Sequence, residues 1–380
     1  MRNGFRLSAI VIASAFACAT ARADIAVSAN DAHSTLVNGV GGAVKDAPPD
    51  NVTVIDLSQS PPRIIGTVDA PASVAGPAQG VFVAKDESFA IIPAGNRAED
   101  GKIVPDNKVS VVDLSVSPPK VVQQVTAGMG ANAVAVNPAG TLALVTNRND
   151  GNVSAFTLKD KRLTPLGTVD LGDAKSLAAG IVFSPDGKIA FVAREGAISV
   201  LEIDGESIKA DPKQAILALR PYPIDISPDG KLLAVANSWG VNADVGTVSL
   251  VDLSSKPYRV VEVARTPSVS EGLRFSPDGK YLAASSLNGS TSPTNSPRYK
   301  DHALLTIFAV DGATLTRAAE APLGKWSQGV AFSQNGGTII VQNMTEKNFS
   351  VFGFAGGKLT PQPPLAVPVG GPGMIGTPQR

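Results

Sequence analysis

The sequence places an arginine directly after three similar apolar segments, A-G-N-R, V-T-N-R and F-V-A-R: these are Arg97, Arg148 and Arg194. A guanidinium group presents a planar fork of N–H donors that matches a carboxylate or a phosphate. If the three groups converge at one mouth, they would bind a small anion. The alternative is that they pair with the neighbouring acids Glu99, Asp150 and Glu195.

Four residues are candidates for moving a proton. His33 and His302 are the two histidines of the chain, and each lies in a long polar segment, with Asp301 beside the second. A histidine can act as a general base on water that attacks an ester carbonyl. Glu195 and Glu271 are alternative bases. The other interpretation of both histidines is exposed polar surface.

Three further residues are candidate ligand contacts, namely Asn237, Trp239 and Trp326. They fall at the start of, or within, segments predicted to be loops. An indole ring can stack on a sugar, and the alternative is that it covers the rim of a channel as apolar surface.

The sequence shows no metal-binding or cofactor-binding motif. It lacks H-E-x-x-H, C-x-x-C and calcium-loop patterns, and its one cysteine is Cys18. The glycine-rich segment G-G-P-G at 370–373 has no helix after it, as a phosphate loop requires. No G-x-S-x-G serine elbow is present. We therefore expect no metal and no cofactor.

A turn motif indicates which elements position these residues. F-S-P-D-G-K occurs at 183–188 and 275–280, and I-S-P-D-G-K occurs at 226–231. Proline presets a type I turn, aspartate suits the next position and glycine takes the left-handed conformation after it. Segments rich in β-branched and aromatic residues flank each copy, so S-P-D-G predicts the tip of a β-hairpin.

The turns, with weaker copies on either side, recur about every 50 residues, a period typical of a β-propeller. A second element, such as V-S-V-V-D-L at 109–114, occurs seven times. Each unit therefore reads as four antiparallel strands. The last unit reads as a third strand, an outer strand and a tail without a second strand, and residues 24–30 read as a second strand. We predict an all-β, seven-bladed propeller whose two chain ends share one blade and close the ring.

The long, irregular segments all belong to one end of such a propeller. The S-P-D-G and D-L-S turns lie at the other end and are short. The long segments connect second to third strands, or an outer strand to the next inner strand; they are 30–50, 95–107, 237–246 and 288–302. We expect function at the end that carries them, although the loops holding His33 and His302 need not meet.

Residues 1–23 are predicted to be a signal peptide. Arg2 and Arg6 precede an apolar run, and A-R-A at 21–23 is a small-residue cleavage signal. The mature protein, a single propeller domain over 24–380, would be periplasmic or secreted and free of cysteine. The alternative is a lipoprotein anchored through Cys18.

Charge and hydropathy limit the partners. Loss of residues 1–23 would reduce 33 basic groups to 30, against 33 acidic ones. This balance argues against nucleic acid, and no other segment is predicted to span a membrane. We expect a small anionic or sugar-like ligand, or a protein partner.

The repeat resembles the YVTN-repeat and lactonase-type seven-bladed propellers. T-L-A-L-V-T-N at 141–147 and K-L-L-A-V-A-N at 231–237 match best. The resemblance implies a hydrolase or isomerase of a lactone or small organic acid, with arginines orienting the anion. The alternative is a non-catalytic propeller that binds a ligand or a protein, because the fold alone does not decide between them.

Overall fold

The computed structural model describes residues 24–173, 175–211, 215–218, 220–238 and 244–379, and this part of the chain holds strands and no helix. The strands form seven antiparallel sheets of four strands, one of them with a short fifth strand. The sheets are numbered here as blades 1 to 7, and blade 7 contains both ends of the described chain. The predicted all-β, seven-bladed propeller is confirmed.

Each blade is given from its inner to its outer strand. Blade 1 comprises Phe82–Val83, Phe89–Glu99, Lys102–Asp113 and Lys120–Thr126. Blade 2 comprises Ala131–Val136, Leu142–Asn147, Asn152–Lys159 and Arg162–Asp170. Blade 3 comprises Ile181–Phe183, Ile189–Arg194, Ala197–Asp204 and Ser207–Ala210, with Ile216–Leu217 also paired to its third strand. Blade 4 comprises Pro221–Ile226, Leu232–Asn237, Val245–Asp252 and Arg259–Pro267.

The remaining three blades follow the same order. Blade 5 comprises Ser270–Phe275, Tyr281–Ser286, Ala303–Asp311 and Thr314–Leu323. Blade 6 comprises Ser327–Phe332, Thr338–Asn343, Asn348–Ala355 and Lys358–Ala366. Blade 7 comprises Gly371–Gly376, Ile25–Asp31, Asn51–Asp56 and Arg63–Asp69. A separate hairpin, Ser34–Val37 and Val40–Ala43, rises from the first long loop.

The core is divided among the contacts between blades. Seven clusters of buried apolar side chains occur in the described chain, and each joins two successive blades. One of these clusters joins blade 7 to blade 1 and another joins blade 6 to blade 7. The ring is therefore closed by the same kind of packing that holds every other pair of blades.

The two ends of the chain meet in blade 7. The N-terminal strand pairs with the C-terminal strand, Val27 opposite Gly376, and with the third strand, Ile25 opposite Asp56. Shared closure, with residues 24–30 in a second strand, is confirmed. The prediction that the last unit lacks a second strand is wrong, because Thr338–Asn343 occupies that position in blade 6. The tail instead supplies the inner strand of blade 7.

The S-P-D-G turns contact one another around the ring. In blade 3, the Gly187 N–H donates to the Ser184 carbonyl at 2.9 Å, and Gly187 has a φ of 70°. A Cβ on the glycine at this turn position would lie within 2.6–3.6 Å of the proline in the preceding blade's turn; the pairs are Gly187 with Pro138, Gly230 with Pro185, Gly279 with Pro228 and Gly336 with Pro277. Thus the motif both forms a hairpin and fits each turn to its neighbour.

The other end of the propeller carries the long connections, and two of them contain regular structure. The segment predicted as a loop at 95–107 is largely an extension of the blade 1 hairpin, with Arg97 opposite Val104. The tip of the Ser34–Ala43 hairpin reaches the long blade 5 loop, where the Thr294 N–H donates to Asn38 Oδ1 at 2.7 Å. The loops that hold His33 and His302 therefore meet at their tips.

Among the described residues, no helix has the length and apolar character needed to cross a bilayer. The predicted signal peptide, residues 1–23, and Trp239 lie outside the described residues.

Candidate functional site

The polypeptide turns sharply where it enters an inner strand. In six blades the residue at the same repeat position has a positive φ of 50–75°; these residues are Gly130, Leu177, Arg220, Val269, Trp326 and Gly370. Four of them are not glycine, and for them the left-handed conformation costs about 1–2 kcal/mol each. Four of their backbone carbonyls accept hydrogen bonds from residues just after the second strand, as in Arg148 N–H to Gly130 and Ser238 N–H to Arg220. The turns therefore bring two rows of residues together at the mouth of the channel.

A cleft at this mouth, here called the polar cleft, draws its residues from blades 2 to 5. It has a volume of about 210 Å³ and is lined by Arg148, Leu177, Glu195, Arg220, Pro221, Tyr222, Ser238, Val269 and Glu271. Of the predicted site residues, the cleft thus brings together Arg148, Glu195 and Glu271.

Glu271 is an acid whose surroundings perturb it strongly. It lies at the start of the blade 5 inner strand and is only partly accessible to solvent. Burial raises the pKa of its carboxyl group to about 7, and the nearby Arg148 opposes this shift without cancelling it. A carboxyl group with such a pKa can both accept and donate a proton near neutral pH.

Arg148 is available to a ligand. Its guanidinium carbon lies 5.6 Å from the centroid of the Tyr222 ring, and Nη1 donates a long 3.4 Å hydrogen bond to the Leu177 carbonyl. No carboxylate in the described chain forms an ion pair with it. Asp150, the acid proposed as its partner, instead accepts the Met129 N–H at 2.8 Å.

Glu195 and Arg220 form the outer wall of the cleft. Arg220 Nε lies 3.5 Å from Glu195 Oε2, and both side chains are nearly half exposed, at 44% and 45%. An ion pair this exposed contributes little to stability and can exchange for a ligand. Glu195 is thus already paired, whereas Glu271 has no such partner in the described residues.

The three predicted arginines do not share one cavity. Arg97 pairs with Glu99 at 3.0 Å and donates to the Pro105 carbonyl at 2.9 Å, at the tip of the blade 1 hairpin. Arg194 Nε donates to Ser199 Oγ at 2.7 Å within blade 3. Neither lines the polar cleft. The expected convergence is wrong for these two because the blade 1 hairpin carries Arg97 outward and Ser199 holds Arg194 against its own blade.

His33 lies in a different pocket and connects loops. Its Nδ1 is 2.9 Å from Asp50 Oδ1, and its Nε2 is 3.3 Å from Asn96 Oδ1. Burial opposes a charge on the ring, but the hydrogen bond to Asp50 and the charges of Asp31 and Asp50 raise its pKa above the ordinary value. Both ring nitrogens are engaged, and the pocket that His33 lines also contains Arg97. The structure therefore does not bring His33 together with Arg148.

The same histidine belongs to a group with metal-ligand chemistry. Ligand atoms of Asp31, His33 and Asp50 lie within 4.8 Å of one another. The two oxygens of Asp31 accept the N–H groups of Ser34 and Val74 at 2.7 and 2.9 Å. Asp50 Oδ1 accepts the Ala32 N–H at 2.8 Å. These bonds account for the cluster as a connection between loops, and the expectation of no metal stays a prediction.

The other predicted contacts lie away from the cleft. His302 bonds Asp301 at 2.7 Å on an exposed loop. Asn237 is 5% exposed and its amide donates to Thr247 and Ser249 at 3.1 and 2.8 Å, so its placement at a ligand site is corrected. Trp326 occupies one of the left-handed mouth positions but does not line the polar cleft.

The asparagine position is structural in other blades as well. Asn147 and Asn343, at the ends of their own second strands, also donate to a serine of the third strand, at 2.9 Å each. The V-T-N and V-S-V patterns thus encode a buried bond between two strands of a blade.

Comparison with known proteins gives the fold. A family model described as "Lactonase, 7-bladed beta-propeller" matches residues 107–269. The periplasmic gluconolactonase of Pseudomonas aeruginosa is 16% identical with a TM-score of 0.68, over 93% of this chain and 99% of that one. The fold is that of a lactonase-type propeller.

Two further solved structures show the breadth of the likeness. A candidate 6-phosphogluconolactonase from Bacteroides fragilis NCTC 9343 is 15% identical with a TM-score of 0.71, over 94% of this chain and 98% of that one. The hydrazine synthase of Kuenenia stuttgartiensis is 24% identical with a TM-score of 0.58, over 75% and 79%. Since the proteins so named catalyse different reactions, the fold alone does not determine an activity.

Three cleft residues with a left-handed backbone were not among the predicted site residues: Leu177, Arg220 and Val269. Their position depends on a left-handed backbone, and this conformation cannot be predicted from the sequence because none of the three residues is glycine. Tyr222 also lines the cleft, and the sequence does contain a signal for it. Tyr222 and Glu271 stand eight residues before Gly230 and Gly279 of the following turns, so the repeat phase places both at the same level of the channel.

Proposed function

We propose that this protein binds a small lactone bearing a carboxylate in the polar cleft and hydrolyses its ring ester. The observation that supports this most is that one cleft holds both Arg148 and Glu271. Arg148 is a guanidinium without a carboxylate ion pair in the described chain, and Glu271 is a carboxyl group of pKa about 7. The likeness to a gluconolactonase favours a lactone over other esters.

The reaction assigns one task to each residue. Arg148 binds the substrate carboxylate through its N–H fork. Ionised Glu271 takes a proton from water as the water oxygen bonds to the carbonyl carbon and the C=O π pair moves to oxygen. The ring C–O bond then breaks as the C=O bond reforms, and the leaving alkoxide takes the proton from Glu271. The product is the open hydroxy acid, and the carboxylate is regenerated.

Hydrolysis of two lactones by the purified full chain tests this proposal. Glucono-1,5-lactone is neutral, whereas muconolactone carries a carboxylate. We expect muconolactone to be preferred, and kcat/KM to rise with pH through about 7, where Glu271 ionises. Glu271→Gln should lower kcat by about 10²- to 10⁴-fold. Arg148→Met should lower kcat/KM for muconolactone by about 10- to 100-fold and remove the preference.

Matched variants at exposed positions serve as controls. Glu206→Gln and Arg162→Met remove the same groups from exposed sites and should leave both rates unchanged. Equal rates for Glu271→Gln and wild type would refute the assigned base. Binding of muconolactone without turnover would favour the alternative of a non-catalytic ligand-binding propeller.

We further propose that residues 1–23 direct export and are removed before Asp24. The basic start, apolar run and A-R-A site support this proposal. N-terminal sequencing of protein recovered from the periplasm or medium should begin at Asp24. Recovery of a chain that begins at Met1 in the cytoplasm would contradict it.

A further inference from the structure

Tyr222 reaches the polar cleft from the inner strand of blade 4, and its backbone carbonyl accepts the Gly180 N–H of blade 3 at 3.1 Å. The backbone N–H of Gly76, on the crossing that leads into blade 1, faces its phenol oxygen. Gly76 has a φ of 129°, and a Cβ there would lie 2.7 Å from the Asn132 carbonyl oxygen. The approach of this backbone to the phenol therefore requires glycine.

The environment keeps the phenol protonated and leaves its proton free to point elsewhere. Burial, together with the charge of Glu271, raises the pKa of Tyr222 above its ordinary value, although Arg148 and the Gly76 N–H oppose the shift. The Gly76 N–H is a donor and cannot accept the phenol proton, so the O–H bond remains available to another acceptor. Tyr222 is partly accessible and lines the cleft beside Arg148 and Glu271.

Apart from Arg148 and Glu271, the other polar side chains of the cleft already have partners. Ser238 Oγ donates to the Ser270 carbonyl at 3.1 Å, and Arg220 pairs with Glu195 at 3.5 Å. Arg148 lies over the face of the Tyr222 ring, so a carboxylate held by it is a few ångströms from the phenol. Among the described lining residues, Tyr222 is thus the neutral hydroxyl donor that remains for a lactone carbonyl.

We propose that the Tyr222 hydroxyl donates a hydrogen bond to the lactone carbonyl oxygen and stabilises the oxyanion formed when water adds to the carbonyl carbon. This assignment rests on the proposed function. The Tyr222 proton stays on its own oxygen, while Glu271 takes the proton of water and returns it to the ring oxygen. The hydrogen bond strengthens as negative charge develops, and it therefore acts on the transition state more than on the bound lactone.

The test compares wild type with Tyr222→Phe, which removes the hydroxyl and keeps the ring beneath Arg148. Loss of one donor to an oxyanion lowers kcat by about 10²- to 10³-fold. We expect that loss on muconolactone, with KM and the Kd of the matching lactam changed less than about threefold, because the lactam resembles the ground state. The rise of kcat/KM near pH 7 should stay, because it belongs to Glu271.

Tyr258→Phe is the matched control, since Tyr258 packs edge-on against Phe191 with centroids 5.5 Å apart and is not a cleft residue. It should leave kcat unchanged. Unaltered kcat in Tyr222→Phe would overturn the assignment while leaving the proposed function in place. Parallel losses of kcat, lactam affinity and thermal stability would also overturn it, in favour of a packing role. Absence of lactone turnover in wild type would refute both.

Discussion

Replacing Glu271 with glutamine should make the protein more stable at alkaline pH. The ordinary pKa of this carboxyl group is 4.5 and its folded value is about 7. The folded state thus holds a proton that the unfolded chain releases between these values, and wild-type stability falls as pH rises through this window. Glutamine has nearly the same shape as protonated glutamate and carries no charge at any pH, so it avoids the penalty. One pKa unit corresponds to 1.36 kcal/mol, so the penalty above pH 7 is about 3–4 kcal/mol at most, and partial exposure of Glu271 reduces it to about 2–3 kcal/mol.

Urea unfolding of wild type and Glu271→Gln at pH 4.5, 6 and 8 measures this effect. Because other titrating groups are shared, the difference between the two free energies of unfolding isolates position 271. We expect a difference near zero at pH 4.5 that grows to about 2–3 kcal/mol in favour of the variant at pH 8. Glu206→Gln, at an exposed position, should give no such trend. A difference that does not change with pH would refute a desolvated Glu271, and with it the reason for naming this residue as the base.

Three other substitutions test the structure around the cleft. His33→Ala should lower the free energy of unfolding by about 3 kcal/mol, because it leaves Asp50 without its ring partner. Since the folded pKa of His33 is raised, the stabilisation by its charge should be present below pH 6.5 and fade as pH rises. A loss of stability that does not change with pH would contradict a charged ring. Gly180→Ala should lower the free energy of unfolding by about 1–3 kcal/mol, since its Cβ would lie 2.6 Å from a backbone carbonyl of blade 4. As its control, Gly42→Ala adds a Cβ with no atom within 4 Å and should leave the free energy of unfolding unchanged in the same urea titration. Arg220→Gly should be about 1 kcal/mol more stable than Arg220→Ala, because Arg220 has a φ of 50°, and equal stabilities would argue against that conformation.

The fold could be predicted from the sequence because the pattern of the third strand occurs seven times at a regular spacing. The S-P-D-G turns fix hairpins locally, and the pairing of Gly187 with Pro138 shows that the same residues also fit one blade to the next. Closure followed from counting strands, because an unpaired inner strand would have left an open sheet edge. The missing second strand was an error of pattern: T-I-I-V-Q-N at 338–343 is as apolar as the second strands elsewhere but follows a turn with glutamine and asparagine in place of proline and aspartate.

The site could be predicted in part, and the reason lies in how far each side chain is fixed by the repeat. Arg148 and Glu271 lie at the ends of strands, so the phase of the repeat determines their level and direction. Arg97 lies on a hairpin extension whose length no repeat specifies, and the extension carries it to Glu99. The contact of Asn38 with Thr294 joins loops 256 residues apart, and no local sequence pattern in either loop predicts it.

The polar cleft is the part of this molecule where local interactions oppose stability. Leu177 and Val269 hold left-handed backbones at about 1–2 kcal/mol each, and ionised Glu271 adds about 2–3 kcal/mol. The contact between blades 4 and 5 buries Leu250, Leu273 and Phe275 completely, and these three side chains alone contribute about 5–9 kcal/mol before chain entropy is subtracted. Because packing of this kind recurs at every contact of a closed ring, the backbone beneath the cleft cannot relax to relieve Glu271. The same rigidity holds Arg148 and Tyr222 in place beside it, and so we expect Glu271→Gln to raise stability at pH 8 and, under the proposed function, to lower kcat by about 10²- to 10⁴-fold.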